Sequence, residues 1–138
     1  MSTFPVQILA ADHPFYEGSC YSLIIPTLDG MYGIQAGHSN LITVMIPGRL
    51  QYRLEEDGPL LEAAVSGGLV KVEDGAVLIL ADSIERPEEI DLKRAQRDAD
   101  AAKEAMLQKR SIQEYHAAQA HLARALNRLQ VKQHYRGM

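Results

Sequence analysis

The chain has 138 residues, 46% of them apolar, and its 14 Lys and Arg against 18 Asp and Glu leave a formal net charge of −4. That length allows one modest domain plus an appendage, and that apolar content supports a packed core rather than disorder. Net acidity argues against nucleic-acid binding, a lone cysteine (Cys20) excludes an intramolecular disulfide, and no apolar run approaches the roughly 20 residues of a membrane span.

In chain order, residues 6–10 (VQILA) open a strand, followed by Phe15-Tyr16 and by 20–27 (CYSLIIPT). Asp29-Gly30 signals a turn, and Tyr32 to Ala36 resumes extended structure. The run 41–46 (LITVMI) is continuous and β-branched, as in a strand buried on both faces. Pro47-Gly48 is a second turn, residues 50–54 (LQYRL) alternate as a half-buried strand does, and Asp57-Gly58 is a third turn before LLEAAV. After Ser66-Gly67-Gly68, LVKVE alternates again, Asp74-Gly75 turns, and AVLILA closes the set. Regular turn pairs between short strands predict an antiparallel sandwich or flattened barrel. Gly67-Gly68 is not followed by a helix N-terminus, so it reads as a bulge or a close backbone approach rather than a phosphate cradle. Cys20, inside an apolar run, reads as a small buried thiol.

Residues 82–95 (DSIERPEEIDLKRA) join this body to a helical tail. Pro87 disfavours helix in the residue before it, and Glu88, Glu89 and Asp91 suit the positive end of a helix dipole. Asp91 is the expected N-cap, and Leu92, Ala95, Ala99, Ala102 and Met106 recur at helical spacing, predicting a first helix over 91–108. Lys109-Arg110 would place cations at its negative end. Ser111-Ile112-Gln113-Glu114 is a capping box that starts a second helix, whose apolar stripe is Tyr115, Ala118, Leu122, Ala125, Leu126 and Leu129. So short a connection requires the two helices to run antiparallel. The division expected is a sandwich over 1–84, a hinge over 85–90 and a hairpin over 91–138. An alanine-rich seam holds such a hairpin by only a few kcal/mol, at about 25 cal/mol per Å² of apolar burial.

Charge divides with the architecture. Residues 1–87 carry four Lys/Arg against eleven Asp/Glu, net −7, and residues 88–138 carry ten against seven, net +3. A basic tail fits acidic partners, and on charge alone a solvated helix surface is the favoured account of it. The five histidines show no metal-ligand spacing, and no nucleophile elbow or Ser/His/Asp set is present, so catalysis is the weaker class and no metal is expected. Arg124, Arg128 and Lys132 form one stripe of the second helix. In an antiparallel hairpin, Arg94, Arg124 and Arg128 converge near Asp91 and Glu85. Guanidinium forks with carboxylates compose a nucleotide site, and the same spacing also fits an interhelical salt-bridge network without a ligand.

The segment Gly30-Met31-Tyr32-Gly33-Ile34-Gln35-Ala36-Gly37-His38, with Leu41 and Pro47-Gly48, resembles the G-x-x-G-I-x-x-G-H segment of the epsilon subunits of F-type ATP synthases. Ser66-Gly67-Gly68 with Val70 and Val72, then Leu80-Ala81-Asp82, extend the resemblance, which covers essentially the whole chain. It implies an α+β fold, an N-terminal ten-stranded antiparallel β-sandwich followed by a C-terminal antiparallel two-helix hairpin. It also implies a non-catalytic subunit that binds gamma in the central stalk and touches the c-subunit ring. There Met31, Tyr32 and His38 are the expected contacts, although many members carry a carboxylate where Met31 stands. The hairpin would extend along gamma toward the beta and alpha subunits and block ATP hydrolysis. Ile90-Asp91-Leu92-Lys93-Arg94-Ala95 matches the I/L-D-x-x-R-A motif by which some bacterial members bind ATP as a regulatory ligand, with no cofactor required. By the same resemblance Glu85, Ile90, Asp91, Arg94, Ala95, Arg124 and Arg128 fall on ligand positions, while Ala101 replaces a further arginine.

The expected function is therefore coupling rotation between gamma and the c ring of a proton-translocating ATP synthase and regulating its hydrolysis. The expected place is peripheral, on the cytoplasmic side of a bacterial plasma membrane, since Met1-Ser2-Thr3 lacks the regions of a signal peptide and no transit peptide precedes the first strand. The competing readings are a free-standing nucleotide-binding sensor and an enzyme acting on a small ligand in the sandwich.

Overall fold

A computed structural model describes residues 2–108 and 111–136, which form two compact units, Met1–Glu85 and Arg86–Met138. The first holds ten strands: β1 (Phe4–Ala10), β2 (Pro14–Cys20), β3 (Ser22–Thr27), β4 (Gly30–Gln35), β5 (Leu41–Met45), β6 (Gly48–Arg53), β7 (Leu61–Val65), β8 (Gly68–Glu73), β9 (Ala76–Ala81) and β10 (Ile84–Glu85). They make two five-stranded sheets, ordered β2-β1-β9-β8-β5 and β10-β7-β6-β3-β4. The alternation of the sequence becomes the two faces of each sheet. Phe4, Val6, Ile8, Val70, Val72, Val77 and Ile79 of the first sheet meet Leu23, Ile25, Ile34, Leu50, Tyr52, Ala63 and Val65 of the second in one core. Each fully buried aliphatic side chain there contributes about 1.5–3 kcal/mol. Phe15 and Tyr52 add an edge-to-face ring pair with centroids 6.3 Å apart. Buried Glu62 keeps its carboxylate satisfied by Arg49 Nη1 at 3.3 Å and Gln51 Nε2 at 3.0 Å.

Several expectations change in detail. The segment 20–27 is not one strand: Cys20 ends β2, and the chain bends at Tyr21 before β3. The Cys20 thiol is buried and donates to the Ser22 and Arg53 carbonyls, both at 3.1 Å, and burial raises its pKa. Residues 41–46 are not buried on both faces. β5 is the edge of the first sheet, with Ile42 72% and Val44 55% exposed. The sandwich also contains one parallel pair, β1 with β9 in register from Val6↔Val77 to Ala10↔Ala81, because the first strand slots beside one from the far end of the unit. All other strand pairings among the described residues are antiparallel.

Two glycine positions carry the geometry. Asp74 and Gly75 have φ of 51° and 82°, the mirror-image turn that joins β8 to β9 with Glu73 paired to Ala76. Gly68 has φ 151°, and a Cβ there would lie 2.0 Å from the Leu80 carbonyl oxygen. The close backbone approach expected at Gly67-Gly68 is thus present.

The second unit begins with a 3-10 turn, Pro87–Glu89, in which the Arg86 amide donates to Glu89 Oε1 at 2.9 Å. Asp91 then caps α1 (Leu92–Gln108): its Oδ1 accepts the Arg94 amide at 3.1 Å and its carbonyl accepts the Ala95 amide at 2.9 Å. Ser111 caps α2 (Ile112–Arg136), its Oγ accepting the Glu114 amide at 3.0 Å. Lys109-Arg110, expected at the end of the first helix, lie outside the described residues. The seam between the helices buries Ala95, Ala99, Ala125 and Leu129, flanked by Leu92 and Leu122. Tyr115 and Leu126 were expected in this stripe but are exposed, while Val131 is fully buried. An antiparallel pair buries one narrow line of each helix, so a residue a third of a turn off that line meets solvent. Within the segment 85–90, Glu85 closes β10, and Lys132 Nζ of α2 donates to the Pro87 carbonyl at 3.0 Å.

Candidate functional site

The first candidate site is the polar border of the hairpin seam. Antiparallel packing brings Asp98 of α1 level with Arg128 of α2, and Arg128 Nη1 lies 3.5 Å from Asp98 Oδ2. Arg94 sits four residues before Asp98, level with Lys132, and therefore about 6 Å along the axis from Arg128. Arg124 lies four residues the other way, so the backbone positions of the three arginines span about 12 Å along the axis. Arg124 Nη2 donates to His121 Nδ1 at 2.7 Å, which requires an imidazole carrying its proton on Nε2. Asp91 is engaged as a helix cap. The Arg94 amide lowers its pKa most, the Lys93 amide and the Arg97 and Arg94 charges act the same way, and desolvation opposes them.

Of the residues expected on ligand positions, Ile90 and Ala95 are buried, Asp91 and Arg94 are exposed, and Arg124 and Arg128 are half-buried. Glu85 belongs to the first unit, paired with Ala64 in β10, and the other six belong to the second. Two residues of this border were not singled out from the sequence as partners. Asp98 carries the ion pair to Arg128, and Lys132 reaches Pro87. Asp98 follows Arg94 by four and Asp91 by seven, a helical-face signal that pointed to it.

Two surfaces of the sandwich unit carry the remaining residues. On β4, Met31 is exposed and Tyr32 is at the edge of exposure. Tyr32 Oη lies 2.6 Å from His38 Nε2, and His38 Nδ1 lies 2.7 Å from the Ser39 carbonyl. A carbonyl only accepts, so Nδ1 donates to it and Nε2 accepts from the tyrosine. The hydrogen bonds tie the loop after β4 back to its strand. On the outer face of the first sheet, Val44, Leu69, Leu80 and Leu9 are consecutive cross-strand partners, and the first three are exposed. Ile42 lies two residues along β5 on the same face. Single exposed leucines are ordinary, but a contiguous apolar row across adjacent strands marks an interaction surface.

No helix among the described residues is long and apolar enough to cross a membrane, and no three of their His, Cys, Asp or Glu side chains are grouped to hold a metal. The arrangement is suited to binding: a row of cations along one helix pair and an apolar strip on one sheet.

Residues 3–87 match the family profile described as "ATP synthase, Delta/Epsilon chain, beta-sandwich domain", and residues 88–133 match "ATP synthase, Delta/Epsilon chain, long alpha-helix domain". The chain is 42% identical over 137 residues to an ATP synthase epsilon chain of Caldanaerobacter subterraneus subsp. tengcongensis, covering 99% of this chain and 98% of that one. It is 35% identical over 131 residues to an ATP synthase epsilon chain of Caldicellulosiruptor saccharolyticus, covering 95% and 94%. Among solved structures, its fold matches a chain of the Euglena gracilis mitochondrial ATP synthase OSCP/F1/c-ring with TM-score 0.78 at 22% identity, covering 89% of this chain and 77% of that one. It also matches a chain of the Tetrahymena thermophila mitochondrial ATP synthase central stalk and c-ring with TM-score 0.70 at 16% identity, covering 93% and 95%.

Proposed function

The chain belongs to the ATP synthase delta/epsilon family, among its epsilon chains, and from that premise we propose that it couples rotation in the central stalk and regulates ATP hydrolysis through its helical hairpin. It is a non-catalytic subunit of the rotary enzyme, a peripheral part of a membrane-bound complex. The proposal assigns each surface a partner. The apolar row Val44, Leu69, Leu80 and Leu9 docks on the gamma subunit, because burying it removes exposed apolar area that a solitary domain gains nothing by displaying. The β4 surface with Met31, Tyr32 and His38 faces the c ring. The hairpin, net positive, extends toward the beta and alpha subunits when it opens, on the cytoplasmic side of a bacterial plasma membrane whose complex carries protons.

The observation that carries the regulatory half is the seam. Three of its four buried side chains are alanines, so closed and open hairpins differ by little apolar area. Such an element responds to any ligand that binds one arrangement better than the other. ATP is that ligand, held on the closed hairpin by Ile90, Asp91, Arg94, Ala95, Arg124 and Arg128, with phosphates on the arginine row. A free-standing sensor has no use for an exposed apolar row, which favours the subunit reading.

The test is ATP hydrolysis by a catalytic sector containing gamma, with and without the full chain, across ATP concentrations. The chain should lower hydrolysis at low ATP and release it at millimolar ATP, and Arg128→Ala should move the release to higher ATP. Equal rates with and without the chain at every ATP concentration would remove the regulatory role.

A further inference from the structure

We infer that Asp98 is an internal competitor of the nucleotide, a carboxylate that holds the Arg128 guanidinium where a phosphate oxygen would otherwise bind. The inference rests on the nucleotide reading of the hairpin and adds to it a residue that sets affinity. Arg128 Nη1 is 3.5 Å from Asp98 Oδ2, across the seam and at the same level of the two helices. The Arg128 side chain is largely covered, so its N–H directions are restricted, and Asp98 is one acceptor placed where they point. Carboxylate and phosphate oxygens are alternative acceptors for the same fork.

Two consequences follow from charge alone. A phosphate oxygen that displaced Asp98 from Arg128 would sit within a few ångströms of the displaced carboxylate, two like charges over one cation. Binding therefore loses part of what the arginine offers. In the absence of nucleotide, Asp98 does the neutralising that the ligand would do and keeps α1 tied to α2. The closed hairpin is then less dependent on ATP, since a ligand shifts an equilibrium only by its differential affinity. Arg94, one turn before Asp98 on α1, and Arg124, one turn before Arg128 on α2, form no such ion pair with a carboxylate among the described residues. The effect is specific to the middle of the row.

The experiment is calorimetric titration of the full-length subunit with ATP, for wild type, Asp98→Asn, Asp98→Glu, Arg128→Ala and the Asp98→Asn/Arg128→Ala double variant, with thermal melts to confirm folding. Asp98→Asn keeps the side-chain shape and removes the charge. It should tighten ATP about two- to fivefold, the range of a partly exposed ion pair, while Asp98→Glu binds as wild type does. The gain should vanish on the Arg128→Ala background, which a general effect on helix stability would not do. Wild type that binds ATP with Asp98→Asn no tighter overturns the competitor role and leaves the nucleotide site standing. Nucleotide binding that appears only when Asp98 is neutralised supports the competitor role outright. No binding by any variant at millimolar ATP, or binding unchanged by Arg128→Ala, overturns the site itself and the competitor role with it.

Discussion

Leu129→Ala tests the energetics on which a hairpin switch depends. Leu129 is 7% exposed and is the only large side chain among the four buried residues of the seam, the others being Ala95, Ala99 and Ala125. Truncating it removes most of one leucine's burial and leaves a void between helices whose alanines cannot swell to fill it. Leucine-to-alanine changes in cores cost about 2–5 kcal/mol, and a two-helix seam that can draw together belongs at the low end, about 2–3 kcal/mol. That is a rise of about 30- to 150-fold in the opening constant of the hairpin. Hydrogen exchange on the full chain reads it directly. Amides over residues 95–102 and 125–131 should lose protection by that factor, while those of β8 and β9 keep theirs, because their core is a separate cluster. A loss of less than about threefold in the helices would show that the hairpin is held by something other than this seam, and an equal loss in the strands would show that the two units open together.

Gly68→Ala should be among the most damaging single changes in the sandwich, because φ of 151° and a Cβ 2.0 Å from the Leu80 carbonyl force β8 away from β9. A cost of several kcal/mol is expected, read as a lowered melting temperature or loss of soluble protein, and a melt within about 2 °C of wild type would refute the close approach. The Asp91 cap predicts a pH dependence confined to the start of α1. Its pKa is lowered in the folded chain, so the stability it contributes is fully present above the unfolded value of 3.8 and is lost as pH falls through the lower folded value. Exchange protection of the first α1 turn should fall over that acid range in wild type but not in Asp91→Asn, which caps without titrating. Identical pH profiles for the two proteins would sink the assignment.

Much of the fold was legible because the signals were local. Asp74-Gly75 demands a mirror-image turn wherever it falls between two alternating strands. Asp91 and Ser111 start helices by offering an oxygen to an amide three residues on, which needs no knowledge of the rest of the chain. The alanine stripe of α1 was read correctly for the same reason. The misreadings were all positional. LITVMI looked like a strand covered on both sides, yet Ile42 and Val44 lie on the outer face of their sheet, where Leu69 and Leu80 are exposed as well. Tyr115 and Leu126 lie on a helical stripe wide enough for a partner that a two-helix seam does not provide.

The candidate site divides the same way. Residue type and spacing identified Arg94, Arg124, Arg128 and Asp91 as one border of the hairpin, and the resemblance assigned them a ligand. The register of α1 against α2 decided the rest: that Arg128 meets Asp98, and that the three arginines are spread along the helix axis. By itself, then, the sequence determined the elements, their order and their caps, because those depend on atoms a few residues apart. Tertiary structure alone decided which strand is an edge, which apolar residues form an exposed row, that β1 lies parallel to β9, and which carboxylate faces which guanidinium. Those outcomes depend on pairings between residues tens of positions apart, whose choice is made by the packing of the whole unit and leaves no trace in local spacing.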